Sequence, residues 1–301
     1  MKKFASIFLS LVLLASLAAC GSSPSGEVIA PSEAPAANET VTENTPAPEK
    51  AEEIEASISE TVLVDEAGVK ITAKSFAPDE MFGAEIKLLI ENNSGKDLTF
   101  QTRNASVNGY MVETMLSADV ADGKKANDSL TFMRADLDTC GISTVADMEF
   151  SFHIFTSDSW EDYLDTPLIQ IKTTAADTYE YQFDDSGEVV YEGNDVKIVV
   201  KGLSEDDSIY GPSIMVYIEN NGDKAITVQA QNVSVNGFMI DPIFSCDVGI
   251  GKHAVDTITF FSSDLEENEI TDIETVELSF HIFDMESWNT IVNSDVITLA
   301  F

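Results

Sequence analysis

Gly83-Ala84-Glu85-Ile86-Lys87-Leu88-Leu89-Ile90-Glu91-Asn92-Asn93 sets the fold class of this chain. Ile86, Leu88 and Ile90 fall on one face of an extended backbone, with Lys87 and Leu89 on the other, and a period of two means a strand with one buried face. The reading repeats 128 residues later, where Ile214, Val216 and Ile218 alternate with Met215 and Tyr217 ahead of Ile218-Glu219-Asn220-Asn221. Gly83 to Thr173 and Gly211 to Phe301 align without a gap and are identical at 36 of 91 positions, so the chain carries a duplicated module.

Outward from this stretch the pattern holds. Val69, Ile71 and Ala73 oppose Lys70, Thr72 and Lys74, and Val196, Ile198 and Val200 oppose Lys197, Val199 and Lys201. Asn108-Gly109 and Asn236-Gly237 sit between β-rich flanks, where Asn-Gly supplies the positive φ of a type I′ hairpin turn. Gly123-Lys124 and Gly251-Lys252 mark further connections, leading to Leu130-Thr131-Phe132 and Ile258-Thr259-Phe260 as short strands. One helical turn is expected in each of Asp136–Asp147 and Asp264–Thr275. About seven or eight strands in a copy of roughly 110 residues predict an all-β chain of two tandem antiparallel β-sandwiches. The expected boundaries are 61–175 and 188–301, joined by an acidic linker at 176–187 around Asp184-Asp185-Ser186-Gly187.

The amino terminus has a different character. Lys2 and Lys3 precede an apolar run from Phe4 to Leu17, and Leu17-Ala18-Ala19-Cys20 closes it with small residues before a cysteine. The apolar run is shorter than the roughly 20 residues of a membrane span, which disfavours a retained helix. Leu17-Ala18-Ala19-Cys20 resembles the lipobox of bacterial lipoproteins. That resemblance implies a signal peptide over residues 1–19, cleavage between Ala19 and Cys20, and a lipid on the Cys20 sulfur that anchors the mature chain to the outer face of a bacterial cell membrane. An ordinary secretory signal with a coincidental cysteine is the alternative. Residues 20–60 are rich in Pro, Ala, Ser, Thr and Glu and poor in large apolar groups, so they predict a disordered, extended tether.

The two copies together resemble the immunoglobulin-like domains of bacterial, in the first place Gram-positive, surface lipoproteins whose role is unassigned. The chain lacks the Cys…Trp…Cys arrangement of antibody domains.

Charge narrows the partners. Sixteen basic and 53 acidic residues give a formal charge of −37, and loss of Lys2 and Lys3 with the signal peptide makes it −39. No basic stripe exists to neutralise phosphates, so nucleic acid is excluded as a partner. Anionic headgroups are repelled too, leaving attachment to the lipid on Cys20.

Candidate chemistry is sparse, and no catalytic residue, metal ligand or cofactor is assigned. Cys140 aligns with Asn268 and Cys246 with Ala118, so no bridge forms within a copy, and two semi-buried free thiols are preferred over a Cys140–Cys246 link. Neither lies beside a basic group that would activate it. His153 and His281 share a Phe-His-Ile-Phe context; alternation places His153 with Ser151 and Phe155, which favours a strand histidine capped by polar neighbours over a catalytic one. His253 follows Gly251-Lys252 in an expected turn, with Lys125 at the matching place. Asp184-Asp185-Ser186-Gly187-Glu188 and Ser204-Glu205-Asp206-Asp207-Ser208 gather oxygen ligands of the kind Ca²⁺ accepts, but without EF-hand spacing, and water-facing loops are the preferred reading. Trp160 and Trp288 follow the two histidine strands. Packing that closes the end of each sandwich is preferred for them, and exposed platforms for a glycan or peptide are the alternative. Asn104-Ala105-Ser106 and Asn232-Val233-Ser234 read as polar strand residues rather than glycosylation sites.

These features lead to a membrane-anchored, extracytoplasmic, non-enzymatic binding, adhesion or spacer module, with an envelope protein or glycan as partner and its ligand unspecified. The alternatives are an envelope enzyme or inhibitor acting through interstrand loops, or an accessory subunit of a membrane complex.

Overall fold

The computed structural model describes residues 56–204 and 210–301, which lie in one compact unit. The expected signal peptide 1–19, the expected attachment point at Cys20, most of the expected tether and residues 205–208 of the second acidic loop lie outside the described residues. No helix among the described residues is long and apolar enough to cross a membrane.

In the first half the strands are β1 (Thr61–Glu66), β2 (Val69–Glu80), β3 (Gly83–Asn92), β4 (Leu98–Val107), β5 (Tyr110–Met111), β6 (Thr114–Met115), β7 (Ser117–Val120) and β8 (Lys124–Met133). A short helix α1 (Arg134–Thr139) follows, then β9 (Asp147–Thr156), β10 (Asp162–Asp165) and β11 (Ile169–Lys172). The second half runs β12 (Glu188–Gly193), β13 (Val196–Ser204), β14 (Ser213–Asn220), β15 (Ile226–Val235), β16 (Phe238–Met239), β17 (Ser245–Val248) and β18 (Lys252–Thr259). It closes with α2 (Ser262–Glu267), β19 (Thr275–Asp284), β20 (Thr290–Asn293) and β21 (Ile297–Ala300). The fold is all-β, built as an antiparallel sandwich. The single helical turns expected in each copy begin two residues earlier than the sequence suggested, at Arg134 and Ser262.

Alternation decides the layers. One sheet has the order β1-β2-β3-β8-β6, and a second runs β10-β9-β4-β5-β18-β14-β13-β12 with β7 and β11 alongside. The third is β16-β15-β19-β20 with β17 and β21. Ile71, Ile86, Leu88 and Ile90 from the first sheet meet Phe100, Phe150, Phe152 and Ile154 from the second in one apolar cluster. Ile198, Val216, Ile218 and Ile258 meet Val228, Val276, Phe280 and Ile282 in another. The duplication is visible in burial as well, since β4 and β15 share one pattern along ten residues and β7 and β17 share another.

Both Asn-Gly turns are two-residue hairpins, closing Val107 on Tyr110 and Val235 on Phe238 with φ of 51° and 87° at Asn108 and Gly109 and of 50° and 86° at Asn236 and Gly237. Asn104 and Asn232 sit at matching β-bulges, with φ of 55° and 53°, and their amides reach Ser151 and Ser279 across the sheet. These Asn-x-Ser triplets are strand residues, as expected.

The halves are joined edge to edge. β5 pairs in parallel with β18 through Tyr110 and His253, and the His253 N–H donates to the Gly109 carbonyl at 2.9 Å. The face of the second copy that alternation marks as outward is therefore covered: Val199 and Tyr217 are 0% and 1% exposed and pack into the core of the first half. Lys197 and Lys201, flanking Val199, hold Asp185 and Asp184 at 2.6 and 2.8 Å, pinning the acidic segment to β13. Those contacts engage the carboxylates of the first candidate calcium loop with cations of the chain itself. Lys252 of β18 and Glu149 of β9 form a largely buried ion pair at 2.8 Å across the same junction.

Candidate functional site

The Phe-His-Ile-Phe strands end in two tight loops, and each loop presents a tryptophan. In the first, the Thr156 N–H donates to the Glu161 carbonyl at 2.9 Å and the Trp160 N–H donates to the Thr156 carbonyl at 2.9 Å. The Thr156 hydroxyl also accepts the Glu161 N–H and meets the Ser159 hydroxyl at 2.7 Å. In the second loop Asp284 replaces Thr156. Its N–H donates to the Asn289 carbonyl, and its carboxylate accepts the N–H groups of Glu286 and Ser287, each at 3.0 Å. Lys224 hydrogen-bonds Asp284 at 2.9 Å and holds its carboxyl well below the usual carboxylate range. Different residues thus shape the same turn.

The turn forces its penultimate residue into the left-handed region, where Trp160 has φ of 59° and Trp288 φ of 61°. A bulky residue with positive φ is a genuine outlier, in a place where glycine is the default. Each indole leaves the core: Trp160 is 74% exposed and Trp288 76%. The preferred reading of these rings as plugs at the ends of the sandwiches is therefore overturned; the αL backbone swings them outward, and Phe155 and Phe283 beneath them do the packing. Trp160 stacks on Phe155 at 5.3 Å and 16°, and Trp288 on Phe283 at 5.7 Å and 20°. The phenyl rings in turn lie 5.2 Å from His153 and 5.0 Å from His281. A His–Phe–Trp ladder therefore runs from sheet to surface in both copies.

The histidines serve the ladders structurally. His153 is 6% exposed, and its Nδ1 lies 2.6 Å from Asp165, the polar capping that alternation called for. His281 bonds the Thr290 hydroxyl at 3.0 Å. Beside the first ledge, Lys96, Asp97, Ser157, Asp158, Ser159 and Glu161 line a polar groove of about 500 Å³. Lys224, Glu286, Ser287 and Asn289 occupy equivalent positions in the second copy.

A second feature is the cleft where the halves meet. Glu113, Asp136, Cys246, Asp247 and Asp256 line one part of it, about 260 Å³ in volume. Burial pushes Glu113, Asp136 and Asp256 up, lifts the Cys140 thiol to about 12 and raises that of Cys246 strongly. Both thiols are free, and burial disfavours the thiolate form of each. The adjoining part, about 560 Å³, has Met111, Leu168, Ile250 and Met285 on its walls and the Lys252–Glu149 pair at its margin. His253, expected in a turn, instead lies second in β18 and stacks on Phe183 at 3.7 Å, with its Nδ1 2.6 Å from the Tyr217 hydroxyl. Burial lowers its pKa. Sequence reasoning missed the cleft because its lining comes from both copies; Cys246, Asp256 and Met285 face Glu113 and Asp136 only once β5 meets β18.

No known family matches the chain, and no curated protein does. Among solved structures, one alignment is to the YadV chaperone at 10% identity, over 72% of this chain and 92% of that one, with a TM-score of 0.24. Another is to an exo-chitosanase of Amycolatopsis orientalis in complex with PNP-beta-D-glucosamine, at 13% identity over 72% of this chain and 25% of that one, also with a TM-score of 0.24. Scores this low carry no functional argument.

Proposed function

We propose that the chain is a lipid-anchored, extracytoplasmic binding module, held by Cys20 and acting without catalysis through the two tryptophan ledges. The observation that carries this is the repetition of an exposed, backbone-strained tryptophan stacked on a buried phenylalanine. Strain of about 1–3 kcal/mol persists where the surroundings over-determine it, and it concentrates at functional sites. Here different capping residues, Thr156 and Asp284, maintain the same ring posture. The acidic surface and tether suit a module that stands away from the membrane, and the clefted junction fixes the two ledges on one scaffold.

Capture from an envelope extract tests this reading. The anchored protein retains a partner, and the Trp160→Ala/Trp288→Ala double variant, with an unchanged far-ultraviolet spectrum, loses it. Retention of the partner by the folded double variant would move the binding surface elsewhere. The competing enzyme reading belongs to the junction cleft. Its Asp136 carboxylate accepts the Glu113 backbone N–H at 2.6 Å and its Asp256 carboxylate accepts that of Thr257 at 2.7 Å, which are structural engagements.

A further inference from the structure

We infer that the ligand of both ledges is a neutral polysaccharide, each indole taking the apolar face of one pyranose ring; this rests on the reading of the ledges as binding sites.

Shape argues first. Each indole has one face against phenylalanine and is otherwise largely exposed, and among the described residues no second ring is opposed to it. A methylated ammonium group is held by a cage of several aromatic faces, and a peptide side chain anchors in a desolvated pocket. A single open plate provides neither. It matches a flat ligand with one apolar face and a polar edge, which describes the C–H face of a pyranose ringed by hydroxyl groups.

The rim supplies the matching polar groups. Lys96, Ser157, Asp158 and Glu161 beside Trp160 mix donors and acceptors at close range, as sugar hydroxyls require, since each both gives and accepts a hydrogen bond. Glu286, Ser287 and Asn289 continue the theme beside Trp288. Charge then selects among sugars. Both rims carry carboxylates and the whole chain is at −37, so uronate- or phosphate-bearing polymers are repelled. The duplication completes the argument, because two equal plates on one chain fit a ligand with a repeating unit.

The only two tryptophans of the chain are the ledge residues, so fluorescence excited selectively in indole, beyond the absorption of the tyrosines, reports the sites. The full chain in detergent is titrated with cellohexaose and mannohexaose, with polygalacturonate and poly-lysine in parallel. At least one neutral hexasaccharide is expected to shift the emission saturably, with two molecules per chain by calorimetry. Trp160→Ala or Trp288→Ala reduces this to one, Trp→Phe at each site weakens without abolishing it, and polygalacturonate gives no shift. Should poly-lysine or an envelope extract shift the emission while neither hexasaccharide does, the ledges bind but the ligand class is wrong. Should nothing shift it, the ledge reading falls as well. An equal response to polygalacturonate would overturn the charge argument.

Discussion

Trp160 and Trp288 are the residues on which the local energetics are most exposed to test. Each combines an unfavourable backbone at φ near 60° with a stack on phenylalanine. Strain of about 1–3 kcal/mol opposes aromatic stacking of about 0.5–1.5 kcal/mol, with little area burial to add. Trp160→Gly and Trp288→Gly, which relieve the strain, are therefore expected to change stability by less than about 1 kcal/mol in urea unfolding while removing the ledge. A loss above about 3 kcal/mol would mean that the ring is a core element. The capping residues give a pH signature. Because Lys224 depresses the Asp284 carboxyl, its stabilisation is complete above the unfolded carboxylate value of about 3.9 and is lost as pH falls through the lower folded value. Trp288 emission in a Trp160→Phe variant is expected to hold steady through about pH 4 and to change reversibly only well below it, as the depressed folded carboxyl is protonated. Trp160 emission in the Trp288→Phe variant, where threonine does the capping, is expected to be less sensitive.

At the scale of the element, the loops that connect strands are locked by repeated asparagines. Asn92 is fully buried and donates to the carbonyls of Lys96 and Val120 at 2.8 and 2.7 Å, while its Oδ1 accepts the Ser94 N–H. Asn220 repeats this with Lys224, Val248 and Gly222. Asn92→Ala or Asn220→Ala leaves the buried carbonyl of Val120 or Val248 short of a donor, at about 1–3 kcal/mol, while the part-buried carbonyl of Lys96 or Lys224 stays within reach of water. A loss of about 1–3 kcal/mol in chemical denaturation is expected, and a loss under about 0.5 kcal/mol would show that water replaces the amide. Strands and Asn-Gly turns were legible in the sequence because alternation and positive φ are local properties, and His153 was rightly placed because its capping follows from which face it shares. The tryptophans were not, since the left-handed φ that ejects them arises from a hydrogen-bonded turn with no glycine to mark it. Val199 and Tyr217 escaped for another reason: their burial depends on a surface that lies elsewhere in the chain.

The whole molecule turns on the junction. His253 is held neutral by burial among Tyr110, Phe183 and Tyr217, so its contribution is complete above the ordinary histidine value of about 6.5 and is lost as pH falls below it. Glu113, Asp136 and Asp256 in the cleft act in the opposite sense, because their raised values favour the folded state as protons are added. The comparison that isolates the histidine is therefore the melting temperature of the wild type against His253→Phe. Between pH 7.5 and 5 the wild type is expected to lose ground to the variant, and parallel curves would remove His253 from the junction. The Lys252–Glu149 pair makes a matching prediction. Its side chains are 17% and 16% exposed, so Lys252→Met is expected to cost more than the roughly 0.2–1 kcal/mol of an open surface pair.

Acrylamide quenching of the intrinsic fluorescence tests the central claim most directly, because the two ledge rings are its only tryptophan source. The ledges predict emission at the position of a solvated indole and quenching of both rings in the native protein, little changed on unfolding. Blue-shifted emission shielded from acrylamide until the protein unfolds would place the rings inside the fold and contradict the account.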